Sequence, residues 1–238
     1  MAFITAPEEL TTTRPQRAAR NEAPSETETL TDRAYRELEE LIVTLRIAPG
    51  TVVSEALLSK RLGIGRTPIR EALQRLARER LVLIMPRRGI VVSEVNVQTQ
   101  LRLMEVRREL ERLLARAAAR RATDQQRARF REIAVGIVKS AEAGDEAEAL
   151  RYDREFNALM LEASRNEFAT SAMALMHGLS RRFWIMHYKN LAGLLQLTQR
   201  HAAIADAIAR GDRDAAAEAS DRLMDYLEDF TRRTIADS

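Results

Sequence analysis

One stretch constrains this chain more than any other: LSKRLGIGRTPIREALQ, Leu58 to Gln74. Apolar residues recur at helical spacing on both sides of Gly63-Ile64-Gly65, with Leu57, Leu58 and Leu62 before it and Ile69, Ala72, Leu73 and Leu76 after it. That spacing predicts two short amphipathic helices joined by a tight turn. Pro68 falls in the first turn of the second helix, where its missing N–H costs nothing, and Thr67 is the expected N-cap. With the apolar side turned inward, Arg66, Thr67, Arg70 and Gln74 lie on or near the outward face. This is the layout of a helix-turn-helix, whose second helix enters the major groove and lets arginine pair with the O6/N7 edge of guanine.

The flanking sequence extends the reading. Residues 31–45 (TDRAYRELEELIVTL) put Ala34, Leu38, Leu41, Ile42 and Leu45 on one helix face, with Thr29 or Thr31 able to cap the start. Ala48-Pro49-Gly50 ends that helix, and Thr51-Val52-Val53 is a short β-branched run. After the reading helix, Leu81–Ile84 and Ile90–Val92 flank Pro86-Arg87-Arg88-Gly89, which predicts a hairpin with a basic tip. A winged helix-turn-helix over residues 29–95 follows, with Arg87, Arg88 and Gly89 near phosphates or in the minor groove. The formal charge of the whole chain is only +3, yet Ala56 to Ile90 holds nine Lys/Arg against Glu71 and Glu79. Positive charge concentrated in this way is the footprint of a double-stranded DNA partner. Residues 1–28 carry little apolar periodicity and are expected to be a disordered arm, or one that follows the DNA backbone through Arg14, Arg17 and Arg20.

Beyond Val97 only helical periodicity remains. Six amphipathic segments run over 98–122, 124–143, 145–163, about 168–188, 191–210 and 212–235, the first with Leu103, Val106, Leu110, Leu113, Leu114 and Ala117 inward. The expected fold is therefore mainly α: an N-terminal winged helix-turn-helix with a small β-hairpin wing, then an all-α antiparallel helical bundle over 98–236. No apolar run is long enough to span a bilayer, and zero cysteines exclude disulfides and thiolate metal sites, so a cytoplasmic location without a membrane partner is expected.

Four features of the bundle carry polar chemistry. Asp153 and Asn157 share a helix face at i and i+4 beside Phe156, and Arg107 lies toward the apolar side of its helix. His201 opens HAAIADAIARGD, and His177 and His187 flank RRFWIMHYK. Taken singly, each also fits a hydrogen-bonded structural residue. Asp153 and His201 as an acid/base pair would make an enzyme, but no nucleophile, phosphate loop or complete metal set accompanies them, and the chain is read as a non-enzyme.

Residues 35–95, with Pro49-Gly50, SEALLSKRLGIGRTPIREALQRLARERLV and PRRG, resemble the DNA-binding domain of GntR-family bacterial transcription regulators. The resemblance implies operator reading by Arg66, Thr67, Arg70 and Gly89, and palindromic half-sites bound by a homodimer. Ala56 departs from the pattern, since some relatives carry a DNA-contacting arginine there. EVRRELE, YDREFNALM and QRHAAIADAIARGD resemble the effector domain (FCD) of the FadR-like subfamily, over nearly all of 98–235. Many relatives hold a divalent metal there with an Asp and His at i and i+4 and two later histidines, and an organic acid contacts that metal and the arginine of EVR. Position by position, the Asp is Asp153, Asn157 stands for the first His, His201 is the second, and the third falls near Leu223. The remnant Asp153, Asn157 and His201 is expected to bind zinc or nickel weakly. The resemblance then implies a small organic acid held directly by Arg107, with Asp153, Asn157, His201 and the Arg181–Tyr188 segment completing the pocket. The expected function is a ligand-responsive DNA-binding regulator, a repressor as the commoner case. A nonspecific architectural DNA-binding protein is the alternative.

Overall fold

The computed structural model describes residues 28–86, 89–188 and 191–236. The expected arm over residues 1–27, with Arg14, Arg17 and Arg20, and the wing-tip Arg87 and Arg88 lie outside the described residues.

Helix α1 (Leu30–Val43) starts at Thr29, whose side chain accepts the Asp32 amide, and buries Ala34, Leu38 and Ile42 at i, i+4 and i+8. Leu41 and Leu45, expected on the same face, are half-buried, and Leu45 has already left the helix in a left-handed conformation (φ 61°). Strand β1 (Val52–Val53) leads into α2 (Glu55–Leu62), capped by Ser54. The turn to α3 (Arg66–Arg78) passes through Gly63 at φ 66°, a conformation that a Cβ would strain. Strands β2 (Val82–Met85) and β3 (Gly89–Val92) form the wing. They pair antiparallel from Val82↔Val92 to Met85↔Gly89, and β1 adds to the other side of β3 through Val52↔Val91. The valine run ahead of α2 is thus a third wing strand, a role nothing local announces. Leu38, Ile42, Leu58, Ile69, Leu73, Leu76, Leu81 and Val92 close the core at 2% exposure or less. Leu57, counted on the apolar underside of α2, instead faces solvent at 58%.

The remaining helices are α4 (Val97–Arg121), α5 (Asp124–Glu142), α6 (Glu146–Ser164), α7 (Glu167–His187), α8 (Leu191–Arg210) and α9 (Arg213–Ala236). Asn96, Thr123, Asp145 and Asn166 cap the first four of these with side-chain oxygens, and left-handed Gly144 and Gly211 break the chain between helices. Packing is heaviest between α5 and α8 and between α4 and α9. Leu114, Phe130, Ile133, Phe156, Ile204, Ile208 and Leu223 are all but fully buried in the shared core.

Helix α4 corrects the sequence expectation about its inward face. Val106 and Leu113 point outward at 55% and 46% exposure, Leu103 and Leu110 are half-buried, and the buried stripe runs Gln100, Met104, Arg107, Glu111 and Leu114. Three of those five side chains are polar, because Gln100 and Arg107 border a cavity and Glu111 pairs with Arg107; hydrophobicity alone places Leu114 and Ala117 inward correctly but misses this polar part of the stripe.

Candidate nucleic-acid interface and ligand cavity

The outward face of α3 is set by its underside. Ile69, Ala72, Leu73 and Leu76 are buried at 1% exposure or less, which leaves Arg66, Thr67, Arg70 and Gln74 exposed along the opposite side. Thr67 is not the N-cap: the helix starts two residues earlier than that cap would place it, at Arg66 after extended Gly65, with no side-chain cap hydrogen bond. The reason is backbone geometry, since Gly65 supplies the extended residue before the helix (φ −59°, ψ 157°) and Pro68 sits at its third position. The first amides of α3 are left without a side-chain acceptor, and no acidic residue occupies its first turn. A positive helix end of that kind suits a phosphate.

Arg70 is buttressed. Its Nε and Nη2 donate to the two oxygens of Glu55, both at 2.8 Å, and that hydrogen bond holds the Glu55 carboxyl below its ordinary range. One edge of the guanidinium is spent on Glu55, which aims the remaining N–H groups of Nη1 and Nη2 outward. Behind the interface, Arg75 lies 3.6 Å over the Tyr35 ring, and the Tyr35 hydroxyl donates to Glu79 at 2.8 Å, tying α1 to α3. In the wing, Gly89 takes φ 91°, where a Cβ would meet Val52 Cγ1 at 3.4 Å.

In the bundle, Arg107, Asp153, Asn157 and His201, predicted from three separate sequence segments, line one cavity of about 740 Å³ including its mouth. His177, Arg181 and Trp184 of α7 line it too, whereas His187 does not and packs against Phe183 with ring centroids 4.4 Å apart and planes tilted by 41°. Arg107 is 7% exposed and its Nε and Nη2 both donate to one oxygen of Glu111, at 3.0 and 2.8 Å. His201 Nδ1 and Asp153 Oδ1 lie 2.7 Å apart, and neither atom has another hydrogen-bond partner. Burial raises Asp153, but the charge and hydrogen bond of His201, then His177 and Arg107, bring it below the usual carboxylate value. Burial first and Arg107 second push His177 down, against Asp153 and Glu111, so its imidazole is neutral at neutral pH.

The donor set does not fit a tightly held zinc or nickel ion. Asp153 is engaged by His201, Asn157 donates its amide to the Asp153 carbonyl at 2.8 Å, and Leu223 is core at 1% exposure. Among the described residues no group of three or more His, Cys, Asp or Glu could hold a metal. The cavity wall also includes Gln100, Ser180 and Thr231, which the sequence reading passed over. Gln100 was findable, since it sits seven residues before Arg107 on the same stripe. Ser180 and Thr231 come from α7 and α9 and carry no local signal.

A pH dependence follows from His177. Its folded value lies below the unfolded value of about 6.5, so the unfolded chain binds the proton first and stability falls as pH drops below about 6.5. The groups facing it are Arg107, Asp153, Glu111 and Arg181. Denaturant unfolding at pH 7.5, 6.5 and 5.5 should show a loss of at most about 1.4 kcal/mol per pH unit, flattened in a His177→Gln variant. An equally steep loss in that variant would assign the effect elsewhere.

A winged helix-turn-helix with an exposed arginine row on its reading helix, joined to a helical bundle around a polar cavity, defines a DNA-binding transcription regulator with a ligand-binding domain. Residues 30–92 match the bacterial regulatory proteins of the gntR family and residues 102–226 match the FCD domain; the chain belongs to the GntR family, in its FCD-containing branch. It is 25% identical over 207 residues to the HTH-type transcriptional repressor RspR of Escherichia coli K12, covering 87% of this chain and 91% of that protein. It is 33% identical over 129 residues to the Nta operon transcriptional regulator of Aminobacter aminovorans, covering 53% of this chain and 60% of that protein. The structure of E. coli McbR/YncC shares the fold, with a TM-score of 0.70 at 21% identity over 88% of this chain and 97% of that one. The protein is a transcription regulator and not an enzyme. No helix among the described residues is long and apolar enough to cross a membrane.

Proposed function

We propose that two copies of this chain bind the half-sites of a palindromic operator, as a repressor, and that a small organic acid in the bundle cavity changes their operator affinity. The observation that carries this reading is the double duty of α7. On one side it walls the cavity with His177, Ser180, Arg181 and Trp184. On the other it docks against the winged part: Arg181 pairs with Glu40 at 2.9 Å and with Glu39 at 3.7 Å, both on α1. Arg182, 1% exposed, donates to the Ser93 carbonyl at 3.0 Å and the Ser93 hydroxyl at 2.9 Å, holding the segment that joins the two parts. Gly178 makes room for the core of the winged part, since a Cβ there would lie 2.9 Å from Leu81 Cδ1.

Arg181 is thus shared between the cavity and α1. A carboxylate in the cavity competes with Glu39 and Glu40 for its guanidinium. An acid that wins that competition favours arrangements in which α1 is less firmly docked, by no more than its difference in affinity for the two. Arg107, Asp153, Asn157 and His201 form the rest of the acid's surroundings. In the operator complex, Arg66, Thr67, Arg70 and Gln74 read the major groove, while Gly89 with Arg87 and Arg88 follows the adjacent backbone.

The test begins with duplexes selected from a random pool, followed by titration of the selected site with small carboxylic acids that raise the melting temperature. The expected result is a two-fold symmetric site whose affinity changes at least about fivefold with one of them, the low end of ordinary coupling. Equal affinity for selected and random duplexes would favour the architectural alternative, and an operator affinity indifferent to every stabilising acid would remove the effector. Arg181→Gln should weaken the thermal stabilisation by such an acid and abolish its effect on operator affinity even at saturating acid; an unchanged effect at saturation would place the coupling away from Arg181.

A further inference from the structure

We propose that the acid taken by the bundle cavity is a small dicarboxylic acid with an apolar middle, one carboxylate held inside by Arg107 and the other held at the mouth by Arg154 together with Arg181. This rests on the reading of the cavity as an acid site and names the class of acid that it selects.

Among the described residues, three arginines line the cavity, Arg107, Arg154 and Arg181, against one carboxylate, Asp153, which His201 already engages at 2.7 Å. The three stand at different depths. Arg107 is 7% exposed and spends Nε and Nη2 on Glu111, which leaves Nη1 for a ligand. Arg181 keeps 16% of its side chain exposed, and Arg154, next to Asp153 on α6, is an exposed residue. An exposed side chain that still lines a cavity stands at its mouth. The Arg154 guanidinium makes no hydrogen bond or ion pair among the described residues, whereas Arg107 and Arg181 each have a carboxylate beside them.

The mouth already carries an acidic group of the protein's own. Glu39 of α1 lies 3.7 Å from Arg181, too far for a hydrogen bond. Burial raises the Glu39 carboxyl above its ordinary value and Glu40 and Glu79 add to the rise, while the charges of Arg181 and Arg154 oppose it. Both arginines therefore act on one carboxylate, and that carboxylate is tethered to α1 at a distance it cannot close. A ligand carboxylate is free to close it. Elsewhere the wall is largely apolar, with Trp184, Leu197, Leu227 and Phe230 among its side chains. The cavity, about 740 Å³ with its mouth, falls in the range of roughly 300–1,000 Å³ that suits a small molecule. A second carboxylate entering it without a cation to meet would lose hydration and weaken binding. The sign of the preference between diacid and mono-acid therefore reports whether the mouth arginines receive that group.

The test is titration calorimetry on the full chain with succinate, glutarate and adipate, each against the mono-acid of equal carbon count: butyrate, valerate and hexanoate. The diacid of best-fitting length should bind at least about tenfold more tightly than its mono-acid, the effect of a hydrogen bond between charged groups. Arg154→Gln should cut that preference to about threefold or less, since what remains is one partly screened pair. Its melting temperature without acid should match wild type, because Arg154 is exposed and holds nothing else. Glu39→Gln removes the charge of the tethered competitor and should tighten the same diacid more than its mono-acid. Mono-acids that bind as tightly as the diacids would overturn the dicarboxylate and leave the acid reading intact. A preference that survives Arg154→Gln undiminished, or a Glu39→Gln variant with wild-type diacid affinity, would overturn the mouth as its source. A chain that binds none of the six acids would overturn both readings.

Discussion

Replacing Arg107 with alanine should lower the unfolding free energy by about 3–5 kcal/mol, the usual cost of breaking a buried ion pair from one side. The guanidinium is 7% exposed and its partner Glu111 is 3% exposed. Its Nε and Nη2 converge on a single Glu111 oxygen, so truncation strands a buried carboxylate without the cation that paired it. Removing both partners is a different matter. Arg107→Met combined with Glu111→Leu fills similar volume without charge and should recover most of the loss. Denaturant midpoints of the three proteins check this, and equal midpoints for wild type and Arg107→Ala would mean the pair is solvated. The double variant has a second use: it keeps the wall while removing the charge proposed to hold an acid, so acids that stabilise wild type should no longer raise its melting temperature.

Arg70→Ala should cost roughly 1–3 kcal/mol of operator affinity, about a 5- to 150-fold weakening, and the loss should fall on the selected site rather than on random duplex. The geometry explains why this arginine stands out from its neighbours. Arg66 and Gln74 are exposed on the same face, but Arg70 alone among the four is shown held by a carboxylate, with Glu55 gripping one edge of its fork at 2.8 Å. A held guanidinium loses less rotamer entropy on meeting a base. Glu55→Gln should therefore weaken site binding as well, by less than Arg70→Ala, and should leave nonspecific binding nearly unchanged. If Arg70→Ala lowered affinity equally for every duplex and kept the wild-type salt slope, base reading by this residue would be wrong.

Much of this protein was legible in its sequence because the signals are local. The i, i+4, i+8 spacing of Ala34, Leu38 and Ile42 specifies which face of α1 is buried, whatever packs on it. Gly63 and Gly65 with Pro68 place the break between α2 and α3, and Gly144 and Gly211 place two of the bundle's joints, because each sets backbone angles by its own chemistry. The basic run through α3 likewise needs no neighbours to be recognised.

What the sequence could not specify is whatever depends on partners distant along the chain. It determined the helices, the turn and the positive reading face, and it named Arg107, Asp153, Asn157 and His201 as polar residues of the bundle. Only the tertiary structure decided that these four border one cavity, that Arg107 spends its charge on Glu111, and that α4 turns Val106 and Leu113 outward. The same holds for Val52 and Val53 joining the wing sheet, and for Arg181 reaching from the cavity to Glu39 and Glu40, 141 residues earlier in the case of Glu40. The physical reason is common to all of them. Periodicity records which side of a segment avoids water, while burial of a polar group is settled by the hydrogen bonds that the rest of the fold brings to it.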